Sequence, residues 1–238
     1  MMKMMILAPR RPGMSHAEFR RYVVDVHGPL VRSVPEVADA IRHYHYNFPI
    51  AGASDTAFHF PTAHHLDIVT QGWFDSREAQ LENMAQPRYF EIIRPDEHRF
   101  ADGANAVMHY TAEVPVSAGA DGGTKVFYFR RRRPHLSREA FQSEWRTRFA
   151  DALIATRGFR ETVASYVQNH TLPEADHPNG ASDRFFDVID ELVIHSPGDL
   201  RRIADVGGSL SRVRAIEADL LEPSRTLALV TERVVNIP

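Results

Sequence analysis

The sequence of 238 residues contains no cysteine. This absence excludes disulfide bonds, thiolate nucleophiles, iron–sulfur clusters and zinc sites built on thiolates. It agrees with a reducing compartment, and we expect a cytoplasmic protein.

Long apolar runs and a strong net charge are also missing. The N-terminal segment MMKMMIL is apolar but short, and Arg10 and Arg11 follow it closely. We therefore interpret it as a buried strand and expect no membrane segment. The formal net charge of -3 is spread over both signs, which argues against nucleic acid or anionic membranes as partners. Hydrophobic residues make up 43% and charged residues 25%, as in ordinary globular proteins.

The chain does contain an internal repeat. RRPGMSHAEF (10–19) recurs as RRPHLSREAF (132–141), at an offset of 122 residues. Farther along the chain the offset is 120, as shown by Asp67 and Asp187. Two collinear blocks indicate a tandem duplication of a unit of roughly 119 residues.

The seam between the two copies is rich in glycine and serine, which is typical of a linker. We place a first domain at residues 1–114, a linker at residues 115–123 and a second domain at residues 124–238.

Each copy shows the pattern strand, helix, strand, strand, helix, strand. Ser15 and Glu18 form a capping-box signature before the first helix. A βαββαβ unit is a ferredoxin-like fold, with the helices on one face of a four-stranded antiparallel sheet. The second face of each sheet also needs cover, and two such sheets in one chain can cover each other and leave a barrel-like space. The predicted strands are 2–8, 43–48, 66–74, 107–114, 126–130, 165–170, 186–194 and 227–235.

The run RRPGMSHAEFRRYVVDVHGPLV, followed by HYHYN and LDIVTQGWFDS, resembles the EthD family of the dimeric α+β barrel superfamily. RRPHLSREAF, SYVQN and FDVIDELVI extend the resemblance into the second copy. The resemblance implies an α+β fold in which two ferredoxin-like domains form an intramolecular pseudo-dimeric barrel. It also implies a pocket between sheet and helices, and acid–base chemistry on small aromatic or lactone-like substrates.

His27 is the leading candidate for a catalytic residue. Phe19, Val23 and His27 stand at i, i+4 and i+8 of the first helix, so they share one face that we expect to be buried. Phe149 stands at the position of His27 in the second copy, so folding does not require a polar side chain there. His27 is either a general acid/base or a core histidine that caps the helix end, and the sequence leaves both readings open.

Tyr44 and a group of nearby histidines are further candidates. Tyr44 recurs as Tyr166, and we assign it to the pocket with a catalytic role. The resemblance implies a loop histidine as partner of the helix histidine. We favour His65, and the register leaves His59 and His64 as alternatives. A metal site is a weaker reading, and we predict none. We assign Val23, His45, His59, His64 and Trp73 to ligand binding.

Arg130 to Arg133 form a run of four arginines at a strand end. We interpret the run as a solvated turn, with contact to an anion as the alternative. No phosphate-binding loop, dinucleotide fingerprint or serine elbow is present.

These features favour a cofactor-independent enzyme of the isomerase, lyase or cyclase type, or less so an oxygenase. Its ligand would be a small, partly apolar metabolite, aromatic, lactone or polyketide-like. The alternatives are a non-catalytic ligand-binding or stress-type module and a haem-linked protein with His27 as axial ligand. The expected partner is this small molecule, and a homodimer through the outer helices stays open.

Overall fold

The computed structural model describes residues 1–53, 60–63, 65–119, 123–173, 184–196, 198–199 and 210–238. Eight antiparallel strands close into a barrel in the order β1-β3-β2-β8-β5-β7-β6-β4. The strands are β1 (Met2–Ala8), β2 (His43–Pro49), β3 (Ile68–Phe74), β4 (Val107–Ser117), β5 (Thr124–Arg130), β6 (Val163–Thr171), β7 (Val188–Ile194) and β8 (Leu227–Ile237).

The helices cover the outside of the barrel. The first helix of each half contains a π-helical turn, at Val23–His27 and at Trp145–Phe149. None of the helices in the described ranges is long and apolar enough to span a bilayer. The described α-helices are α1 (His16–Tyr22), α2 (Gly28–Arg32), α3 (Pro35–Ala38), α4 (Arg77–Met84), α5 (Arg94–Phe100), α6 (Arg138–Glu144), α7 (Ala150–Ile154), α8 (Phe159–Thr162) and α9 (Ser211–Leu220).

The strand order confirms the fold prediction. The first half contributes β4-β1-β3-β2 and the second half contributes β8-β5-β7-β6, each in the order of a ferredoxin-like sheet. Pairing of β2 with β8 and of β4 with β6 joins the two sheets. β4 continues to Ser117, inside the segment predicted as a linker, because Pro115 and Ser117 pair with β6. The domain boundaries themselves stay a prediction.

Alternation along the strands sends one set of side chains into the barrel and the other toward the helices. At one end of the barrel the inward set packs as an apolar cluster that includes Met5, Leu7, Phe127 and Leu229. The outward set packs under the helices of each half in separate clusters. Each half therefore has its own space between sheet and helices.

The inward set also forms a charged cluster, which we call the central cluster. Its members are Lys3, Gln71, Glu113, Lys125 and Glu191. The Nζ atom of Lys3 lies 2.7 Å from Glu191 Oε2 and 3.1 Å from Glu113 Oε1. Lys125 donates to Glu191 and to Gln71, and Gln71 Nε2 donates to Glu191 Oε2 over 2.7 Å. One buried carboxylate from the second half thus receives a lysine from each half.

In the second half, the space between sheet and helices is filled. The rings of Trp145 and Phe149 stack with centroids 3.6 Å apart. The Arg130 guanidinium lies over both rings and forms ion pairs with Asp190 and Glu217. All three filling side chains are buried.

His170 of β6 gives a prediction about stability and pH. Its Nε2 lies 2.9 Å from Gln168 Oε1, and its buried Nδ1 has no hydrogen-bond partner within the described ranges. Burial lowers the pKa of His170 to about 4, and the charge of Arg146 acts in the same direction. Between about pH 4 and about pH 6.5, His170 therefore binds a proton in the unfolded chain but not in the folded chain. Acidification through this window should therefore reduce the free energy of unfolding, by up to about 3 kcal/mol.

Urea denaturation at several pH values measures this slope. His170→Gln should reduce the slope, whereas the same change at the exposed His195 should leave it as in the wild type. Equal slopes for the wild type and His170→Gln would contradict the assignment.

Candidate active site

A cavity of about 160 Å³ lies between the sheet and the helices of the first half. Its walls come from β1, β2 and β3 on one side and from the two helical segments of that half on the other. Three residues predicted for the site meet here, namely Val23, His27 and Tyr44. Ala8 and Thr70 also line it, and their small side chains leave the space open.

His27 is held in this cavity by a carboxylate. Its Nδ1 atom lies 2.9 Å from Asp96 Oδ2, and the Tyr22 hydroxyl donates to Asp96 Oδ1 over 2.6 Å. His27 and Asp96 are only 3% and 5% exposed, so the pair is shielded from bulk water. The contact occupies Nδ1 and leaves Nε2 as the ring nitrogen for a ligand.

The surroundings keep Asp96 ionised. Burial raises the pKa of the Asp96 carboxyl, but the hydrogen bonds from His27 and Tyr22 outweigh burial and leave the pKa below its usual value. Burial and the bond to Asp96 raise the pKa of Tyr22, so its hydroxyl remains a donor. An ionised carboxylate next to Nδ1 accepts the hydrogen bond of the Nδ1 proton and so fixes the tautomer and orientation of the imidazole, as in hydrolase triads.

Helix geometry places both members of the pair. The predicted ladder of Phe19, Val23 and His27 is buried, as expected for one face of a helix. His27 ends a π-helical turn, a feature that is frequent at functional sites. Asp96 lies one turn before the buried Phe100 on α5, so both face the sheet.

Tyr44 and a second carboxylate form another polar region of the cavity. The Glu97 carboxylate accepts hydrogen bonds from the Tyr89 hydroxyl over 3.0 Å and from Arg94 over 3.0 Å. Burial raises the pKa of Tyr44, and the negative charge of Glu97 adds to this effect. Within the described part of the chain, the Tyr44 hydroxyl has no hydrogen-bond partner. Tyr44 is therefore a neutral phenol whose hydroxyl can donate a hydrogen bond to a ligand.

The family relationship is decided by comparison with known proteins. The sequence model of the EthD domain matches residues 11–104. The conidial pigment biosynthesis dehydratase EthD of Metarhizium robertsii (strain ARSEF 23 / ATCC MYA-3075) is 31% identical over 108 residues, covering 43% of this chain and 75% of the relative. The chain belongs to the EthD family.

One further relative and one solved structure show how far the similarity extends. Dehydratase ustZ of Ustilaginoidea virens is 29% identical over 112 residues, covering 43% of this chain and 76% of that protein. The crystal structure of an anthrone oxidase-like protein superposes with a TM-score of 0.59 over 99% of this chain and 92% of its own, at 11% identity. That structure shows the fold alone. The matched EthD segment contains both His27 and Asp96.

The second half lacks this site. At offsets of 122 and 120, the positions of His27 and Asp96 hold Phe149 and Ile216, both buried and apolar. The two members of the pair are thus replaced together within one chain. Larger side chains fill the corresponding space: Tyr128, Arg130 and Trp145 stand where the first half has Ile6, Ala8 and Val23.

Other residues predicted for the site lie elsewhere. His45 and Trp73 belong to the inward set, with their rings 4.9 Å apart, and Trp73 donates to Glu113 over 2.8 Å. They lie inside the barrel and do not reach His27, because they alternate with the residues that face the cavity. His65 lines a separate groove at one end of the barrel. His59 and His64 lie outside the described residues.

Asp96, Tyr22 and Glu97 were missed by the sequence analysis. A signal for Asp96 was available, since it precedes Phe100 by one turn and corresponds to an apolar residue in the second half. For Glu97 the signal was recurrence, because the second half also has a glutamate, Glu217, at the equivalent position. Tyr22 corresponds to Glu144 and shows no such signal.

The residues of the EthD cavity do not fit a haem. A cavity of about 150 Å³ accommodates a single benzene ring, and the present cavity is of similar volume. A porphyrin has four pyrrole rings and would require the aromatic walls to separate. No group of three metal-binding side chains occurs within the described part of the chain.

Proposed function

We propose that the first half of this EthD protein is a cofactor-independent lyase that dehydrates a small, partly apolar β-hydroxy carbonyl compound. The observation that carries the proposal is the buried contact between His27 and Asp96 beside a cavity lined by His27 and Tyr44, whose hydroxyl has no hydrogen-bond partner among the described residues. The names of the two curated relatives, both called dehydratases, support the reaction class.

The first step is removal of a proton from the carbon next to the carbonyl. His27 Nε2 takes this proton, and Asp96 stabilises the imidazolium that forms. The electrons of the broken C–H bond move toward the carbonyl oxygen, where the Tyr44 hydroxyl donates a hydrogen bond to the developing enolate.

The second step is loss of the β-hydroxyl group. The enolate electrons form the new C=C bond as the C–O bond breaks, and the imidazolium returns its proton to the leaving oxygen. The products are one water molecule and the unsaturated carbonyl compound, and His27 is neutral again. No oxidant, metal or cofactor takes part in this balance.

The cavity restricts the size of the substrate. Its volume suits one ring with short substituents, and its walls carry the aromatic side chains of Tyr46, Tyr89 and Phe100. We therefore propose a ring that becomes aromatic or conjugated on loss of water, because conjugation favours the elimination.

The reaction is tested by screening cyclic β-hydroxy ketones and polyketide-type phenol precursors. The assay contains a chelator and no added cofactor, and mass spectrometry detects the loss of water. Stoichiometric binding without turnover of any compound would favour the alternative of a non-catalytic ligand-binding module.

Ala8→Arg combined with Thr70→Asp should close the cavity. The second half shows how, because Arg130 fills the equivalent space by pairing with Asp190 and Glu217. Glu97 already stands at the position of Glu217, and Thr70→Asp supplies the second carboxylate. We expect Ala8→Arg/Thr70→Asp to fold with near wild-type stability and to lose ligand binding and turnover.

Ala8→Ser is the matched control and should retain both activities. Thermal unfolding verifies that each variant is folded, and kcat/KM reports turnover. Unchanged kcat/KM in the folded Ala8→Arg/Thr70→Asp variant would place the chemistry outside this cavity.

A further inference from the structure

A groove of about 720 Å³ lies at one end of the barrel, where the two halves meet. It shares no lining residue with the cavity beside His27. Residues of both halves line it, including Arg11 and Asp67 of the first and Arg131 and Arg225 of the second. The proposed dehydration makes no use of this space.

The floor of the groove is apolar. Leu7 and Leu227 belong to or pack against the apolar cluster inside the barrel, and Phe186 packs on Phe129 with ring centroids 5.3 Å apart. Phe185 adds a further aromatic side chain to the lining. Such a surface favours contact with an apolar or aromatic ring.

The rim of the groove carries an excess of guanidinium groups. Arg10 is paired, since it donates to Asp67 from its backbone over 2.7 Å and from its side chain. Arg131 is not paired in this way: it donates to the backbone oxygen of Phe185, and its Nε lies 3.9 Å from Asp187 Oδ2. That separation is beyond hydrogen-bond distance.

Asp187 is already engaged by other arginines. Arg132 Nη1 lies 3.0 Å and Arg138 Nε 3.2 Å from its Oδ1 atom. Burial lowers the pKa of the Arg131 guanidinium, and the positive charge of Arg225 lowers it further. The negative charge of Asp187 acts in the opposite direction. Arg131 and Arg225 both line the groove, and an anion bound beside them would offset the repulsion that Arg225 exerts on Arg131.

Within the described part of the chain, two carboxylates line the groove against five arginines. Asp67 is taken by Arg10, and Asp102 accepts from Asn105 over 2.7 Å. The negative charge of Glu222 raises the pKa of Arg131 by less than the positive charge of Arg225 lowers it.

We propose that this groove binds a small amphipathic anion, an aromatic carboxylate or sulfonate. Its ring lies on the floor formed by Phe186 and Leu227, and its anionic group meets Arg131 and Arg225. Arginine suits this role because its planar fork binds carboxylate and sulfonate oxygens in pairs.

Fluorescence titration with 8-anilinonaphthalene-1-sulfonate tests the proposal on the full chain. The wild type should bind one equivalent, and Arg131→Gln should weaken binding about tenfold through loss of a charge-assisted hydrogen bond. Arg225→Gln should weaken binding similarly and replaces the first variant if that one fails to fold. The uncharged analogue N-phenyl-1-naphthylamine should show no difference between the wild type and these variants.

Arg133→Gln is the matched control. Arg133 belongs to the same run of arginines, but it donates to the backbone oxygen of Ala218 and does not line the groove. Its replacement should leave the affinity unchanged. Absence of saturable binding, or equal affinity in the variants at Arg131, Arg133 and Arg225, would overturn the proposal. Loss of binding in Ala8→Arg/Thr70→Asp would do so as well, because the probe would then occupy the cavity beside His27.

Discussion

His27→Phe should fold and lose about 100- to 10,000-fold of kcat/KM, the usual cost of removing a general base. The expectation that it folds comes from the second half, which packs Phe149 at the equivalent position and buries it fully against Trp145. The expectation for the rate comes from His27, which lines the cavity and contacts Asp96. Steady-state kinetics on the substrate that the protein dehydrates measures kcat/KM, and thermal unfolding shows whether the variant folds.

Asp96 determines how stable this variant is. Without His27, the buried Asp96 carboxylate loses the hydrogen bond from the imidazole and keeps the one from Tyr22. We therefore expect His27→Phe to lose about 1–3 kcal/mol of unfolding free energy. Adding Asp96→Ile reproduces the pair found in the second half and should recover most of this loss. Wild-type turnover in either folded variant would show that another group is the base.

Glu191→Gln should reduce the free energy of unfolding by about 3–5 kcal/mol, which is the cost of removing one partner from a buried ion pair. Glu191 receives Lys3 over 2.7 Å and also binds Lys125, and both lysines are almost fully buried. Burial raises the pKa of the Glu191 carboxyl, but the charges of the two lysines outweigh burial and leave that pKa well below its usual range. Glutamine would leave Lys125 with no carboxylate partner within the described part of the chain.

Chemical denaturation provides the measurement, with Glu113→Gln as the control. The Glu113 side chain is 28% exposed and can be replaced by water, so we expect a loss of about 1 kcal/mol or less. Replacing Lys3, Lys125 and Glu191 together by methionine should recover most of the stability, because no buried charge is then left unpaired. A Glu191→Gln protein as stable as the wild type would show that the central cluster contributes nothing to the pairing of the halves.

The strands were predictable because each is a short apolar or aromatic run that occurs twice. Recurrence of the same pattern at a fixed offset gave the order of elements in both halves before any contact was known. The extension of β4 to Ser117 was missed, since a segment with glycine and serine nearby gives no sign of its pairing with β6.

The candidate site was predictable only in part. His27 and Val23 were found because helical spacing from Phe19 identifies the buried face. Tyr44 and His45 are adjacent on a strand and must face opposite sides, so assigning both to one pocket conflicted with the strand period. His45 lies inside the barrel, where the chain closes on itself, and the sequence does not show this closure.

Long-range contacts explain what the sequence could not show. Asp96 is 69 residues from His27, and Lys3 is 188 residues from Glu191. No local period connects such positions. Comparison of the two copies gave the best available signal, because the pair of His27 and Asp96 is replaced as a unit by Phe149 and Ile216.

A double-mutant cycle tests most directly whether His27 and Asp96 act together as the base. It compares kcat/KM for the wild type, His27→Phe, Asp96→Ile and the double variant on one substrate that the protein dehydrates. Because Asp96 acts through the imidazole, Asp96→Ile should slow the wild type strongly, whereas adding it to His27→Phe should change the rate little. If Asp96→Ile instead lowers kcat/KM by the same factor with and without His27, the two residues act independently and the proposed mechanism is wrong.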